Sequence, residues 1–447
     1  MEEFIVHPLL QTDRYGKIFL YTTQNDAACV PRHTIQMSEP VRPQQLQQAV
    51  KAALMRFPHM TVGIRPTPTS YEYHMISEEP VVLPFDNACF RYTIGSADTN
   101  GYMFLMGYQG NNIYMEYQHS ISDGRGFEEF IRCVLFQYLK LCGKPVENDG
   151  TIRAQDTHYT PAESEDAYHY LDDLDPSPEG IYKKPEALHA EGLAWPEDAP
   201  EIVNEVTFRF SELRALAKQY GVSPLTVIAP AFCRAFYNKF GKGQDKPVIA
   251  QIPVDMRQLI ESITTRYFIC FIDLPYEAAW QALPLTETFQ LSKDFLESQM
   301  EPEQLLYRAK AASDACRNLH LKDIPLAEKE LEARNMSRDF VQADSFLITN
   351  VGRFCLPESM LPYVEGYGAV LPCAAQPFAM LISSYKDTMK ISIAQRDHDM
   401  KVCSDFVAML HELGVHARME SYPFYVTRYD GAVCTGRLAC VRQKKYT

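Results

Sequence analysis

The stretch His119-Ser120-Ile121-Ser122-Asp123-Gly124 holds the residues best suited to chemistry, in the pattern His-x-x-x-Asp-Gly. A neutral imidazole can take a proton from a hydroxyl or an amine near neutral pH, so the chemistry expected of His119 is general-base catalysis. Asp123 precedes Gly124-Arg125-Gly126-Phe127 and suits the N-cap of a helix. Gly124 suits a turn that needs positive φ or a close backbone approach. With twelve histidines in the chain, the pattern would arise by accident in roughly one such chain in twenty at average residue usage. Its placement therefore matters as much as its spelling.

That placement comes from the flanking elements. Met103 to Tyr108 and Ile113 to Gln118 are strand-like runs around Gln109-Gly110-Asn111-Asn112, which predicts a hairpin. Phe127, Phe130, Ile131, Val134, Leu135 and Tyr138 then repeat at helical spacing. His119 thus sits on a tight turn between a strand and a helix, where rigid neighbours fix a reactive side chain. Further along, a strand is expected at Val206 to Phe210, then a helix capped by Ser211 and stopped by Gly221. Ser223-Pro224 opens another helix, with a kink or break expected at Pro230. Strands follow at Val248 to Val254 and Phe346 to Thr349, a hairpin at Ala379 to Tyr385 and Met389 to Gln395, and a helix at Ser404 to Leu413. A last hairpin is expected around Asp430-Gly431.

In this order the segments resemble the CoA-dependent acyltransferase superfamily, which includes chloramphenicol acetyltransferase, the condensation domains of non-ribosomal peptide synthetases, wax-ester synthases and alcohol O-acetyltransferases. Besides the histidine motif, Pro40 to Pro58 is similar to the family's first helix. Ser223-Pro224-Leu225-Thr226 is similar to the opening of its second half. Pro253-Val254-Asp255-Met256-Arg257 is similar to its strand-end Val-x-x-Arg, and Thr349-Asn350-Val351-Gly352 to its Ser-Asn-x-Gly turn. The resemblance spans roughly residues 5 to 415. The chain departs from it at Gln118, where many members carry a second histidine, and at Arg266-Tyr267-Phe268, which replaces a glycine-asparagine pair. No late Asp-Phe-Gly-Trp-Gly is present.

The resemblance implies an α/β (α+β) fold of two chloramphenicol-acetyltransferase-like subdomains, a pseudo-dimer with a channel at their interface. Residues 1–142 would carry the motif, 143–201 a crossover linker, 202–420 the second half, and 421–447 an extra hairpin that the family does not require. It further implies an acyltransferase of the alcohol O-acetyltransferase kind, moving an acyl group, acetyl by expectation, from a CoA thioester to a hydroxyl. His119 would be the base, and Asp123 would pair with Arg257 to hold the turn. Thr349, Asn350 or a backbone N–H near Gly124 would face the oxyanion. Acyl-CoA is the co-substrate and no bound cofactor is expected. A free-standing condensation enzyme, drawing on an acyl carrier protein and an amine or hydroxyl acceptor, is the alternative. A non-catalytic binding protein on the same fold is the reading of another class.

Composition narrows the field. The 447 residues are 46% apolar, ample for sizeable cores, and the net charge of −14 disfavours nucleic acid and anionic membranes. An anionic CoA would need local Lys or Arg against that field. The twelve cysteines are scattered without any Cys-x-x-Cys, which implies a reducing compartment and no zinc or other metal site. Met-Glu-Glu-Phe-Ile-Val lacks the start of a signal peptide, and no run reaches the length of a membrane span, so a cytoplasmic location is expected. Neither Gly-x-Ser-x-Gly nor a Gly-rich phosphate loop occurs. His398 is expected on a surface loop, and His7, His33, His59 and His74 have no partner at a useful spacing. A fused two-half chain implies a monomer.

Overall fold

The computed structural model describes residues 12–22, 29–85, 92–154, 156–191, 193, 199–373 and 376–429. Its first half begins with α1 (Gly16–Thr22), β1 (Arg32–Met37) and α2 (Pro43–Arg56), followed by β2 (Val62–Pro66), β3 (Tyr71–Met75), β4 (Val82–Pro84) and β5 (Thr93–Ile94). The hairpin β6 (Phe104–Gln109) and β7 (Asn112–Tyr117) then leads to α3 (Gly124–Leu141). The two-residue loop Gly110-Asn111 closes the hairpin, with Gly110 at φ 56°. Both faces of β7 are covered from Ile113 onward, so its end is held rigidly.

The second half comprises β8 (Glu201–Arg209), α4 (Phe210–Tyr220), α5 (Pro224–Phe240), β9 (Val248–Asp255) and β10 (Ile269–Tyr276). Three helices follow: α6 (Leu285–Gln299), α7 (Pro302–Leu321) and α8 (Leu326–Val341). Then come β11 (Phe346–Arg353), β12 (Val364–Val370), β13 (Phe378–Tyr385), β14 (Thr388–Gln395), α9 (Lys401–Glu412), β15 (Arg418–Phe424) and β16 (Arg428–Tyr429). One five-stranded sheet has the order β12-β1-β7-β6-β4, and a seven-stranded sheet has the order β10-β9-β11-β13-β14-β8-β15. Each backs a large buried apolar cluster.

The architecture is the mixed α/β one of two chloramphenicol-acetyltransferase-like subdomains. The sheets trade an element: β12 lies late in the chain yet pairs antiparallel with β1, from Arg32↔Val370 to Met37↔Val364. Between the halves, described residues after 143 carry only two short 3-10 turns, at Pro161–Ser164 and Ala167–Leu171. The segment is pinned all the same. Glu163 takes Arg56 at 2.8 Å and Arg153 at 3.0 Å, and the Tyr168 hydroxyl donates to the Ile269 carbonyl at 2.6 Å.

Several local expectations need correction. Ser211 does not cap α4; the helix starts one residue earlier, and the Ser211 N–H donates to Asp387 Oδ1 at 2.8 Å, a carboxylate lent by the β13–β14 turn. Pro230 does not break α5, which runs through it from a Ser223 cap. β11 does not end at Thr349 but continues through an irregularity to Arg353. β15 crosses the division expected at residue 420, because Tyr422 to Phe424 still pair with β8. The hairpin expected around Asp430-Gly431 lies outside the described residues.

Candidate active site

Asp123 is the hub of the turn after β7. Its Oδ1 accepts from the Gly126 N–H at 2.8 Å, capping α3. Its Oδ2 accepts from Arg257 Nη2 at 2.8 Å and from the Phe268 N–H at 2.9 Å. The cap and the ion pair therefore use different oxygens of one buried carboxylate. Arg257 sits just beyond β9, and each of its three nitrogens is engaged. Nε donates to the Thr264 carbonyl at 2.8 Å, Nη1 to Asp255 at 2.7 Å, and Nη2 also to the Arg266 carbonyl at 2.6 Å. Burial works against this guanidinium, but Asp123 and Asp255 outweigh it and raise its pKa.

Within the turn, His119 Nδ1 lies 3.1 Å from the Ser122 carbonyl. A carbonyl only accepts, so Nδ1 carries the proton and Nε2 keeps its lone pair. Burial lowers the pKa of His119, against the opposing pull of the Ser122 carbonyl and Asp123, so the ring is neutral at neutral pH. Three aromatic rings frame it. Phe19 stacks on it at 5.0 Å, while Tyr117 and Tyr267 present edges at 5.3 and 5.8 Å.

The half-buried imidazole stands on the wall of a cavity of about 900 Å³. Asp123, Gly124, Arg257, Thr349 and Asn350 line the same cavity, so all six residues singled out by sequence converge there. Three of them sit differently from expectation. Gly124 has no positive φ; it is the first residue of α3, and a Cβ there would meet only Val351 Cγ1 at 3.2 Å. Thr349 and Asn350 belong to β11 rather than to a turn, and Asn350 Oδ1 accepts from the N–H of Gly352, which sits at φ 80°. Their free groups could still face a substrate oxygen from the strand.

Sequence reasoning named Asp123 and Arg257 but missed the other residues that enforce the turn. A Cβ on Gly126 would fall 1.9 Å from the Thr265 carbonyl, so this glycine tolerates no side chain. The Ser122 hydroxyl donates to the same carbonyl at 2.5 Å. Gln118 donates to the Phe19 carbonyl at 3.3 Å and accepts from the Ser120 N–H at 2.5 Å, tying α1 to the turn. Only the Gly-x-Gly spacing around Arg125 hinted at any of this. His33 and His59, which lack sequence partners, prove buried: His33 Nδ1 meets the Tyr367 hydroxyl at 2.8 Å, and His59 Nε2 the Thr265 hydroxyl at 2.7 Å.

Solved structures were compared with this geometry. Polyketide synthase associated protein 5 from Mycobacterium tuberculosis is similar with a TM-score of 0.60 at 12% identity, over 89% of this chain and 96% of that one. TRI101 from F. sporotrichioides, solved with coenzyme A and T-2, is similar with a TM-score of 0.56 at 15% identity, over 91% and 98%. The chain has the fold of the CoA-dependent acyltransferases and condensation domains. The starter condensation domain of rhizomide synthetase RzmA is similar at 0.52 and 12% identity, over 91% and 96%. No family model matches the chain. No curated protein matches it either. Such distant sequences share the fold, and the chemistry has to be argued from the residues of this chain. Among the described residues, no helix is long and apolar enough to cross a membrane.

Proposed function

We propose that the protein is an acyltransferase that moves an acyl group, acetyl in the simplest case, from a CoA thioester to a hydroxyl acceptor. The observation that supports this reading best is the neutral His119 on the cavity wall, with Nδ1 bonded to the Ser122 carbonyl, which leaves the lone pair on Nε2. Nε2 takes the hydroxyl proton as the acceptor oxygen attacks the thioester carbonyl. The tetrahedral intermediate collapses, the C–S bond breaks, and the imidazolium returns the proton to the leaving thiolate. Such proton transfer contributes about 10²- to 10⁴-fold, and holding both reactants in one cavity adds to it. Thr349 and Asn350 are the side chains assigned to the oxyanion. Asp123 and Arg257 position the turn without touching substrate.

The test is release of free thiol from acetyl-CoA across a panel of alcohols and amines, with an acyl-carrier thioester run in parallel. Acceptor-dependent thiol from acetyl-CoA, lost in H119A, is the expected result. Thiol appearing only with the carrier would transfer the donor assignment to the condensation-type reading. Equal release by wild type and H119A would remove the base.

A further inference from the structure

We infer that the cavity takes an unbranched aliphatic chain, of fatty-acyl or fatty-alcohol type, through an opening between α7 and α8. The inference rests on the acyltransferase reading only for which reactant carries the chain. Exposed residues line the cavity in separate places. Around the start of α3 and the loop after β9 the lining is polar and of mixed charge, with Arg125 and Gln258 exposed and Glu129 and Asp255 from the same elements. Between α7 and α8 the lining is largely apolar, Ala312, Ala315, Cys316, Met336, Phe340 and Val341 with the single hydroxyl of Ser337, and no charged side chain comes from either helix.

Met336 is 37% and Phe340 40% exposed. Large apolar side chains held open at a cavity rim mark a surface meant to be covered by an apolar ligand. Apolar side chains then continue inward. Phe340 lies edge-on to Phe271 at 5.2 Å, and Ile18 and Phe19 come from α1, which packs against α8. Phe19 is the ring stacked on His119. An alkyl chain in this arm would run over apolar surface from the rim to the reacting carbon.

Each methylene buried there should tighten binding about three- to fourfold until the arm is full. Calorimetric titration of the full-length protein with acetyl-CoA, dodecanoyl-CoA, butan-1-ol and dodecan-1-ol reads this without turnover. A preference of about 100-fold or more for the twelve-carbon member of one pair is expected, and the pair that shows it names the source of the chain. A315E and M336E should each collapse that ratio below about tenfold. L321E, at a site 76% exposed and outside the cavity, should keep it. Equal affinity within both pairs, or a ratio unchanged in both rim variants, overturns the inference. Chain-length preference without thiol release would support the arm and sink the transferase reading; thiol release without preference would do the reverse.

Discussion

Around the imidazole the two halves contribute unlike things. The first supplies the reactive group, its tautomer-setting carbonyl at Ser122 and the stacked Phe19. The second clamps the turn from outside: Arg257 and the Phe268 N–H on Asp123, and the Thr265 carbonyl against Ser122 and Gly126. Reactivity is local to a hairpin, whereas its geometry is imposed across an interface. Substitutions should therefore separate by role, with chemistry lost at His119 and rigidity lost at the contacts that join the turn to the second half.

The sharpest contrast is H119A. It should lower kcat/KM by about 10²- to 10⁴-fold while leaving the melting temperature nearly unchanged, as measured by thiol release and thermal unfolding. In the wild type, the acid limb of kcat/KM should lie below pH 6.5, because burial lowers the pKa of His119 and the base stays deprotonated there. R257A should do the opposite in kind, costing about 3–5 kcal/mol by stranding the Asp123 carboxylate. A D123A/R257A cycle in denaturant should return a coupling on the order of 1–3 kcal/mol. Additive single losses would mean that the halves do not share this pair. Next, G126A should cost about 1–3 kcal/mol by driving a Cβ into the Thr265 carbonyl, well above the cost of G124A. Similar melting temperatures for the two variants would refute the assignment of the close approach.

The smallest effect tests the other seam. The carboxyl of Glu128 on α3 accepts from the Tyr367 hydroxyl of β12 at 2.8 Å, and burial raises its pKa from 4.5 to about 7. A raised carboxyl binds its proton more tightly folded than unfolded, so its contribution is lost as pH climbs from about 4.5 through 7. E128Q should flatten that decline by on the order of 2 kcal/mol between pH 5 and 8. Parallel stability–pH curves for the two proteins would contradict it.

The hairpin, His119 and the start of α3 were readable because strand alternation, a two-residue loop and a capping aspartate are all local signals. Arg257 could be reached only through the resemblance, which matches Val254 to Arg257 with a strand-end arginine; in the fold it stands just past the end of β9. What lay beyond reach depends on contacts distant in sequence. Phe19 sits on a seven-residue helix whose apolar stripe is too short to register. Tyr267 matters only because β10 places it beside a turn about 150 residues earlier. Arg266-Tyr267-Phe268, a departure from the family pattern, gives the site a carbonyl, a ring edge and an N–H. The Ser211 cap failed for the same reason: the carboxylate that serves α4 comes from Asp387.

The lending of β12 to the first sheet has an outcome for how the molecule can be taken apart. Separating the two pieces of a chain cut in its crossover would strip β1 of one whole flank of backbone partners. The amino-terminal piece would then present a raw edge with Ile35 and Met37 beside it, inviting another chain to pair there. The two pieces should regain activity only when refolded together, each closing a layer of the other.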